Sequence, residues 1–142
     1  MNKSIVPAPK DVWEEISQYF KPKEFGVRWT LLDARLLFVC YRLRQAVKKP
    51  FIIHSAYAGT EHSENSYHYR GKAIDFHVKG IPFSEAYEMI ANFAPIIGGV
   101  GYYPHWNRPG FHIDIGTPRE WWRDSEGKYR SLGNINSKDN FE

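Results

Sequence analysis

The most regular hydrophobic pattern in the chain predicts an amphipathic helix over residues 32–49. Its apolar positions recur at the spacing of one helix face: Leu32, Leu36, Val39, Cys40, Leu43 and Val47. Two shorter helices are predicted over 11–19 and 84–93, and each is followed closely by a proline that cannot continue it. Cys40 lies on the apolar face of the long helix, so we expect a buried, unreactive side chain there.

A second kind of pattern, alternation of apolar and polar residues or a short apolar run, predicts strands after the long helix. Four segments have it: 51–55, 73–78, 99–103 and 111–115. Turn residues between the last two strands indicate a hairpin. Helices come early and strands late, without regular strand–helix alternation. This order predicts an α+β fold with a small, mostly antiparallel sheet and helices packed on one face.

Length and composition limit the number of domains and the kinds of partner. The chain has 142 residues, of which 42% are hydrophobic, so we expect a single domain over 1–142. We place its core at about 11–123, followed by a polar C-terminal tail at 124–142. The net charge of +3 is too weak and scattered for nucleic-acid binding. Aromatic residues make up 16% of the chain; they either serve ordinary packing or line a ligand groove, for which the candidates are Tyr57, Tyr102, Tyr103 and Trp106.

Targeting signals are not evident in the sequence. The first residues lack the apolar run of a signal peptide, and no stretch approaches the length of a membrane span. We therefore expect cytoplasmic synthesis and no membrane insertion. The single cysteine excludes an intramolecular disulfide and a cysteine-rich metal site, so any metal must be held by histidine and carboxylate.

The polar faces of two predicted strands bring together residues that can bind a metal. Asp75 and His77 share one such face, and His112 and Asp114 share the other. His68 precedes Asp75 at the end of a long polar loop over 58–70. Two imidazoles and one carboxylate, with one position left for water, are typical of a catalytic zinc site. The same ligands also suit iron or manganese, and the six histidines could instead be scattered over the surface.

Two sequence motifs favour the metal site. Residues 66–75 read SYHYRGKAID, which fits SxHxxGxAxD, and residues 112–116 read HIDIG, which fits HxDxG. In these motifs the chain resembles the D-alanyl-D-alanine carboxypeptidase family of zinc metallopeptidases, whose fold is shared with lysostaphin-type endopeptidases and the hedgehog domain. The resemblance implies that His68, Asp75 and His112 bind zinc. It also implies hydrolysis of an amide bond in peptidoglycan stem peptides or their cross-links.

The chain departs from the family pattern at two positions. The family usually has an arginine where this chain has Ala58, and many members have an acidic general base where it has Pro109. Asp114 is the carboxylate best placed to serve, because residues two apart on a strand project from the same face. It would accept a proton from the attacking water or orient a metal-binding histidine. The alternative bases are Glu64 and His105.

The leading hypothesis is therefore a zinc-dependent peptidase that acts on peptidoglycan peptide. It would reach the cell wall either as a phage-type lysin released through a membrane pore, which is the simpler expectation, or as a protein whose leader has been removed. Its activity would be that of a carboxypeptidase or an endopeptidase. The alternative is a non-catalytic module in which zinc stabilises the fold and the cleft binds wall peptide or a protein partner. The oligomeric state is left open.

Overall fold

The computed structural model describes residues 6–26, 29–56 and 71–132. Four α-helices occur in these ranges: α1 (Lys10–Ile16), α2 (Ala34–Val47), α3 (Phe83–Ala91) and α4 (Ala94–Ile97). Six strands form one sheet: β1 (Phe51–Ser55), β2 (Ala73–Val78), β3 (Gly99–Tyr103), β4 (Gly110–Asp114), β5 (Arg119–Arg123) and β6 (Tyr129–Ser131). Short 3-10 turns at Pro22–Phe25 and Trp29–Leu31 lead from α1 to α2.

The strand order across the sheet is β1-β2-β4-β3-β5-β6. Neighbouring strands are antiparallel except β3 and β5, which are parallel. One hydrophobic cluster joins residues of the helices to the inward side chains of the strands, including Leu36, Ile90, Phe76 and Ile113. The predicted α+β fold, with a mostly antiparallel sheet and helices on one face, is confirmed. In the described part of the chain, no helix is long and apolar enough to cross a membrane.

Helix α2 anchors the core, and its ends are fixed by local chemistry. Asp33 is the N-cap residue, and its buried carboxylate accepts hydrogen bonds from the backbone N–H of Arg35 and of Val6. The helix ends at Lys48, which adopts a left-handed conformation with φ of 61°. Cys40 is fully buried, as predicted, and burial raises the pKa of its thiol. The cysteine therefore serves packing.

Local patterning predicted most strand positions and missed two strands. The bounds of β1, β2 and β3 match the predicted ones, and β4 begins one residue earlier than predicted. The structure adds β5 and β6, which a charged, short sequence such as Arg119–Arg123 does not reveal. β5 forms by pairing with β3, which is distant in sequence, and β6 then pairs with β5, so neither strand depends on its own periodicity.

Residues 124–132, which the sequence predicts as the start of the polar tail, instead form the last turn and strand of the sheet. Asp124 and Leu132 are buried, with exposed fractions of 8% and 5%. Asp124 closes a turn by accepting hydrogen bonds from the N–H groups of Glu126 and Lys128, and β6 follows. The sheet thus continues to residue 132, because side chain–backbone hydrogen bonds fix a turn that composition alone suggests is loose. The rest of the predicted tail lies outside the described residues.

Candidate active site

The face of the sheet opposite the helices carries the polar residues of β2 and β4. Asp75 pairs directly across the strands with His112, and its Oδ1 lies 2.9 Å from the Nδ1 of that imidazole. The side chains of His112 and Asp75 are 13% and 17% exposed, so both are mostly buried but still accessible to water. The other ring nitrogen, Nε2 of His112, lies 2.8 Å from Oδ2 of Asp114. The imidazole is thus held between two carboxylates.

Asp114 is completely buried and surrounded by donors. Its Oδ1 accepts hydrogen bonds from the backbone N–H groups of Gly99 and Gly116, at 3.1 and 2.9 Å. Arg119 donates to both carboxylate oxygens, at 3.1 and 2.8 Å. Burial alone would raise the pKa of Asp114, but the hydrogen bonds from His112 and Arg119 outweigh it and lower the pKa to about 2. Asp114 is therefore a fixed anion whose acceptor positions are occupied.

Two glycines of β3 make room for this arrangement. A Cβ atom at Gly99 would lie 2.6 Å from Oδ1 of Asp114, and one at Gly101 would lie 2.6 Å from Cε2 of Trp121. Neither distance is possible for a real side chain without a shift of its neighbours. The missing side chains of β3 thus allow a carboxylate from β4 and an indole from β5 to cross it.

Aromatic side chains form a wall beside His112. The Trp121 ring lies 5.2 Å from the His112 ring, and its Nε1 donates a hydrogen bond of 3.0 Å to the hydroxyl of Tyr103. Tyr103 stacks on Trp106, with ring centroids 4.2 Å apart. The groove predicted from the sequence is wrong at Tyr102, which is buried in the core because alternate residues of β3 face opposite sides of the sheet. Tyr57 lies outside the described residues.

A pair of histidines lies near Asp75 on the same part of the sheet. Nε2 of His54 is 2.6 Å from Nδ1 of His77, and the His54 ring also lies 5.6 Å from the ring of Trp106. Burial is the main cause that lowers the pKa of both imidazoles, which favours their neutral form. His54 is thus hydrogen-bonded within the structure.

Two of the three predicted metal ligands, Asp75 and His112, lie close together. In a tetrahedral zinc site, neighbouring ligand atoms lie about 3.3 Å apart, close to the 2.9 Å between His112 Nδ1 and Asp75 Oδ1. The acceptor Asp114 favours a proton on Nε2 of His112, which leaves Nδ1 able to bind a metal. Within 6–26, 29–56 and 71–132, no group of three histidine, cysteine or carboxylate side chains is arranged so that it could hold a metal ion. The predicted third ligand, His68, lies outside these ranges.

The three residues predicted as alternative general bases differ in their positions. Asp114 lies beside His112, as predicted from the strand spacing, and is held by Arg119. His105 is exposed in the turn between β3 and β4, and Glu64 lies outside the described residues, as does Ala58. Sequence reasoning missed Arg119 and the role of Trp121, because both belong to the strand that local periodicity did not reveal.

Comparison with known proteins places this site in a family. A family model described as peptidoglycan L,D-endopeptidase MepK matches residues 30–121, more than half of the chain. The matched range includes both motifs, as well as the β5 residues Arg119 and Trp121. The chain is therefore a member of a family of peptidoglycan peptidases. That family is the one described as peptidoglycan L,D-endopeptidase MepK.

Individual relatives match over a shorter range. The chain is 44% identical over 62 residues to the probable peptidoglycan L,D-endopeptidase MepK of Haemophilus influenzae. It is 42% identical over 59 residues to the peptidoglycan L,D-endopeptidase MepK of Escherichia coli K12. Each match spans 42% of this chain and only 30% of the relative. No solved structure matches the chain significantly.

Proposed function

We propose that the protein is a zinc-dependent endopeptidase that hydrolyses an amide bond in the peptides of peptidoglycan. The observation that carries the proposal is the position of His112, which is held between Asp75 and Asp114 on the open face of the sheet. Two curated relatives are named as peptidoglycan L,D-endopeptidases, which favours an endopeptidase over a carboxypeptidase. The cell wall, where this substrate lies, would be its site of action.

His68, Asp75 and His112 would hold the metal. When bound, zinc polarises a carbonyl group and makes a water molecule more acidic near neutral pH. Asp114 would act as a positioning residue, because its hydrogen bond to Nε2 fixes the ring orientation of His112. Arg119 balances the charge of Asp114 and so keeps it ionised in a buried position.

Because Asp114 positions His112, another residue would act as the general base. A base must have an accessible lone pair near the attacking water, whereas the carboxylate of Asp114 is buried and faces several donors. Of the other two residues, His105 lies in the exposed turn that adjoins the aromatic wall. The sequence places Glu64 in the loop that contains His68.

The test combines metal content with wall digestion. Purified protein is expected to bind about one zinc per chain, and His112→Ala and Asp75→Ala are each expected to lose it, since two ligands compete poorly with water. Arg42→Gln serves as the control because Arg42 is an exposed residue of α2. Mass spectrometry of digested peptidoglycan then identifies the cleaved bond.

Three outcomes would contradict the proposal. Full zinc content in the His112→Ala protein would show that the metal site is elsewhere. A zinc-loaded protein that binds intact wall but releases no peptide fragments would instead establish the non-catalytic binding module. Equal binding to purified glycan strands without stem peptides would also exclude a peptide substrate.

A further inference from the structure

A cavity of about 200 Å³ opens at the end of the aromatic wall away from His112. On one side it is bounded by the stacked rings of Tyr103 and Trp106, and on the other by the turn between β5 and β6. Arg123, His105 and Asp124 also line it, and the carboxylate of Asp124 is paired with Arg130. The cavity therefore combines aromatic surface with a permanent positive charge.

The turn between β5 and β6 holds the side chain of Arg123 in position. Its Nε lies 3.3 Å from the carbonyl oxygen of Gly127, and its guanidinium carbon lies 5.6 Å from the centre of the Tyr129 ring. A Cβ atom at Gly127 would lie 3.3 Å from Nη2 of Arg123, and the φ of +82° at this glycine disfavours other residues. The turn thus leaves space for the guanidinium and limits its freedom.

The acidic neighbour of Arg123 is already engaged. Asp124 accepts a hydrogen bond of 2.8 Å from Nε of Arg130 and two more of 2.9 Å from backbone N–H groups of its own turn. Among the described residues, no carboxylate pairs with Arg123. The charge of Arg123 is therefore available for an anion from outside the protein.

The cavity is continuous with the metal-binding face. Trp121 and Arg123 are two residues apart on β5, so their side chains leave the same face of the sheet about 7 Å apart. Trp121 in turn contacts His112 on one side and Tyr103, which lines the cavity, on the other. An extended peptide that crosses His112 would reach Arg123 within a few residues.

We propose that this cavity is a carboxylate-binding subsite, in which Arg123 receives a carboxylate of the bound peptide. The planar guanidinium donates to both carboxylate oxygens, and the aromatic rings pack against the apolar part of the residue that bears it. The carboxylate belongs either to an acidic side chain or to the peptide C-terminus, and both have the same chemistry. The proposal depends on the proposed function only in taking a peptide as the ligand.

The first experiment measures binding without hydrolysis. A synthetic acidic tetrapeptide is titrated in three forms: unmodified, amidated at its side-chain carboxylate and amidated at its C-terminus. Chemical shifts of the Trp106 indole N–H and the Arg123 Nε–H report the contact by NMR. We expect one amidated form to bind 10- to 100-fold more weakly, the size of a lost charge-assisted hydrogen bond. Which amidated form is weak identifies the source of the carboxylate.

Variants then assign the effect to Arg123. Arg123→Gln is expected to weaken binding of the unmodified peptide by the same 10- to 100-fold and to make the three forms equal, whereas Arg42→Gln changes nothing. The chelator-treated protein should retain the preference, because Arg123 does not bind the metal. The preference for the free carboxylate can therefore be observed even if the protein hydrolyses no peptide bond. The subsite is excluded if the three peptides bind wild type equally, or if Arg123→Gln keeps the preference.

Discussion

Replacing Asp114 by Asn tests how the buried carboxylate supports the site. In the native protein, Oδ2 of Asp114 accepts from Nε2 of His112 and from Nη2 of Arg119, each at 2.8 Å. In Asp114→Asn the other oxygen can remain with the N–H groups of Gly99 and Gly116, so an NH₂ group takes the place of Oδ2. The new NH₂ group would then face the N–H groups of His112 and Arg119, which are also hydrogen-bond donors.

The expected cost follows from these contacts. Two charge-assisted hydrogen bonds of about 1.5–3 kcal/mol each are lost, but the side chain of Arg119 is 40% exposed, so water compensates part of the loss. We expect the free energy of unfolding to fall by about 3 kcal/mol. The new NH₂ group also favours the tautomer of His112 with its proton on Nδ1. Zinc affinity should therefore fall about 10- to 100-fold.

The assay compares zinc affinity and turnover in the same protein. We expect about a hundredfold loss of hydrolysis at limiting zinc and partial recovery when zinc is raised to saturation, since the variant lacks orientation of a ligand rather than a proton acceptor. Normal zinc affinity together with a hundredfold loss of turnover would refute this reasoning and identify Asp114 as the general base. Near-normal hydrolysis in Asp114→Asn, with inactive His105→Ala or Glu64→Gln, would instead place the base in a loop.

The remaining predictions concern packing and helix capping. Gly101→Ala brings a methyl group against Trp121, so thermal unfolding should show a loss of about 1–3 kcal/mol, and adding Trp121→Ala should recover part of it; strict additivity of the two changes would contradict the clash. Asp33→Ala removes the N-cap of α2 and should cost about 1–2 kcal/mol, whereas the exposed Asp11→Ala should cost less than about 0.5 kcal/mol. Burial alone would raise the pKa of Asp33, but hydrogen bonds from Arg35 and Val6 lower it. The stabilisation that ionised Asp33 contributes is therefore present above the unfolded pKa of about 3.9 and is lost as the pH falls through the lower folded pKa. The free energy of unfolding, measured against pH in the acid range, should therefore change less steeply for Asp33→Ala than for the native protein. Equal slopes would contradict this.

The strands that the sequence predicts well are those whose alternation reflects two different environments. In β2 and β4, apolar residues face the helices and polar residues face the site, so periodicity predicts both the strand and the facing of Asp75 and His112. The strand β5 has no such contrast, because Arg119 and Arg123 at its ends are exposed and the residues between them are half-buried. Its parallel pairing with β3 results from long-range contacts that a local pattern does not contain.

The site was predictable to a similar degree. Strand spacing correctly places the Asp114 side chain beside His112, but it does not reveal that Arg119 donates to the same carboxylate. That contact changes the chemical interpretation of Asp114 from a free base to a fixed anion. The roles of Gly99 and Gly101 were also invisible, because a glycine in a strand sequence shows a missing side chain and not the neighbour that fills the space.

The strict alternation along β2 and β4 makes the site a measure of correct folding. A slip of β4 by one residue against β2 would turn Phe111 and Ile113 toward the solvent face and place His112 and Asp114 among the hydrophobic residues under the helices. Such a molecule would lack the proposed metal site, since Asp75 would then meet an apolar partner. If the proposed site binds zinc, the zinc bound per chain in a refolded sample would therefore count the molecules whose strands paired in the native register, which have the same strand content as shifted ones and so the same far-UV circular dichroism.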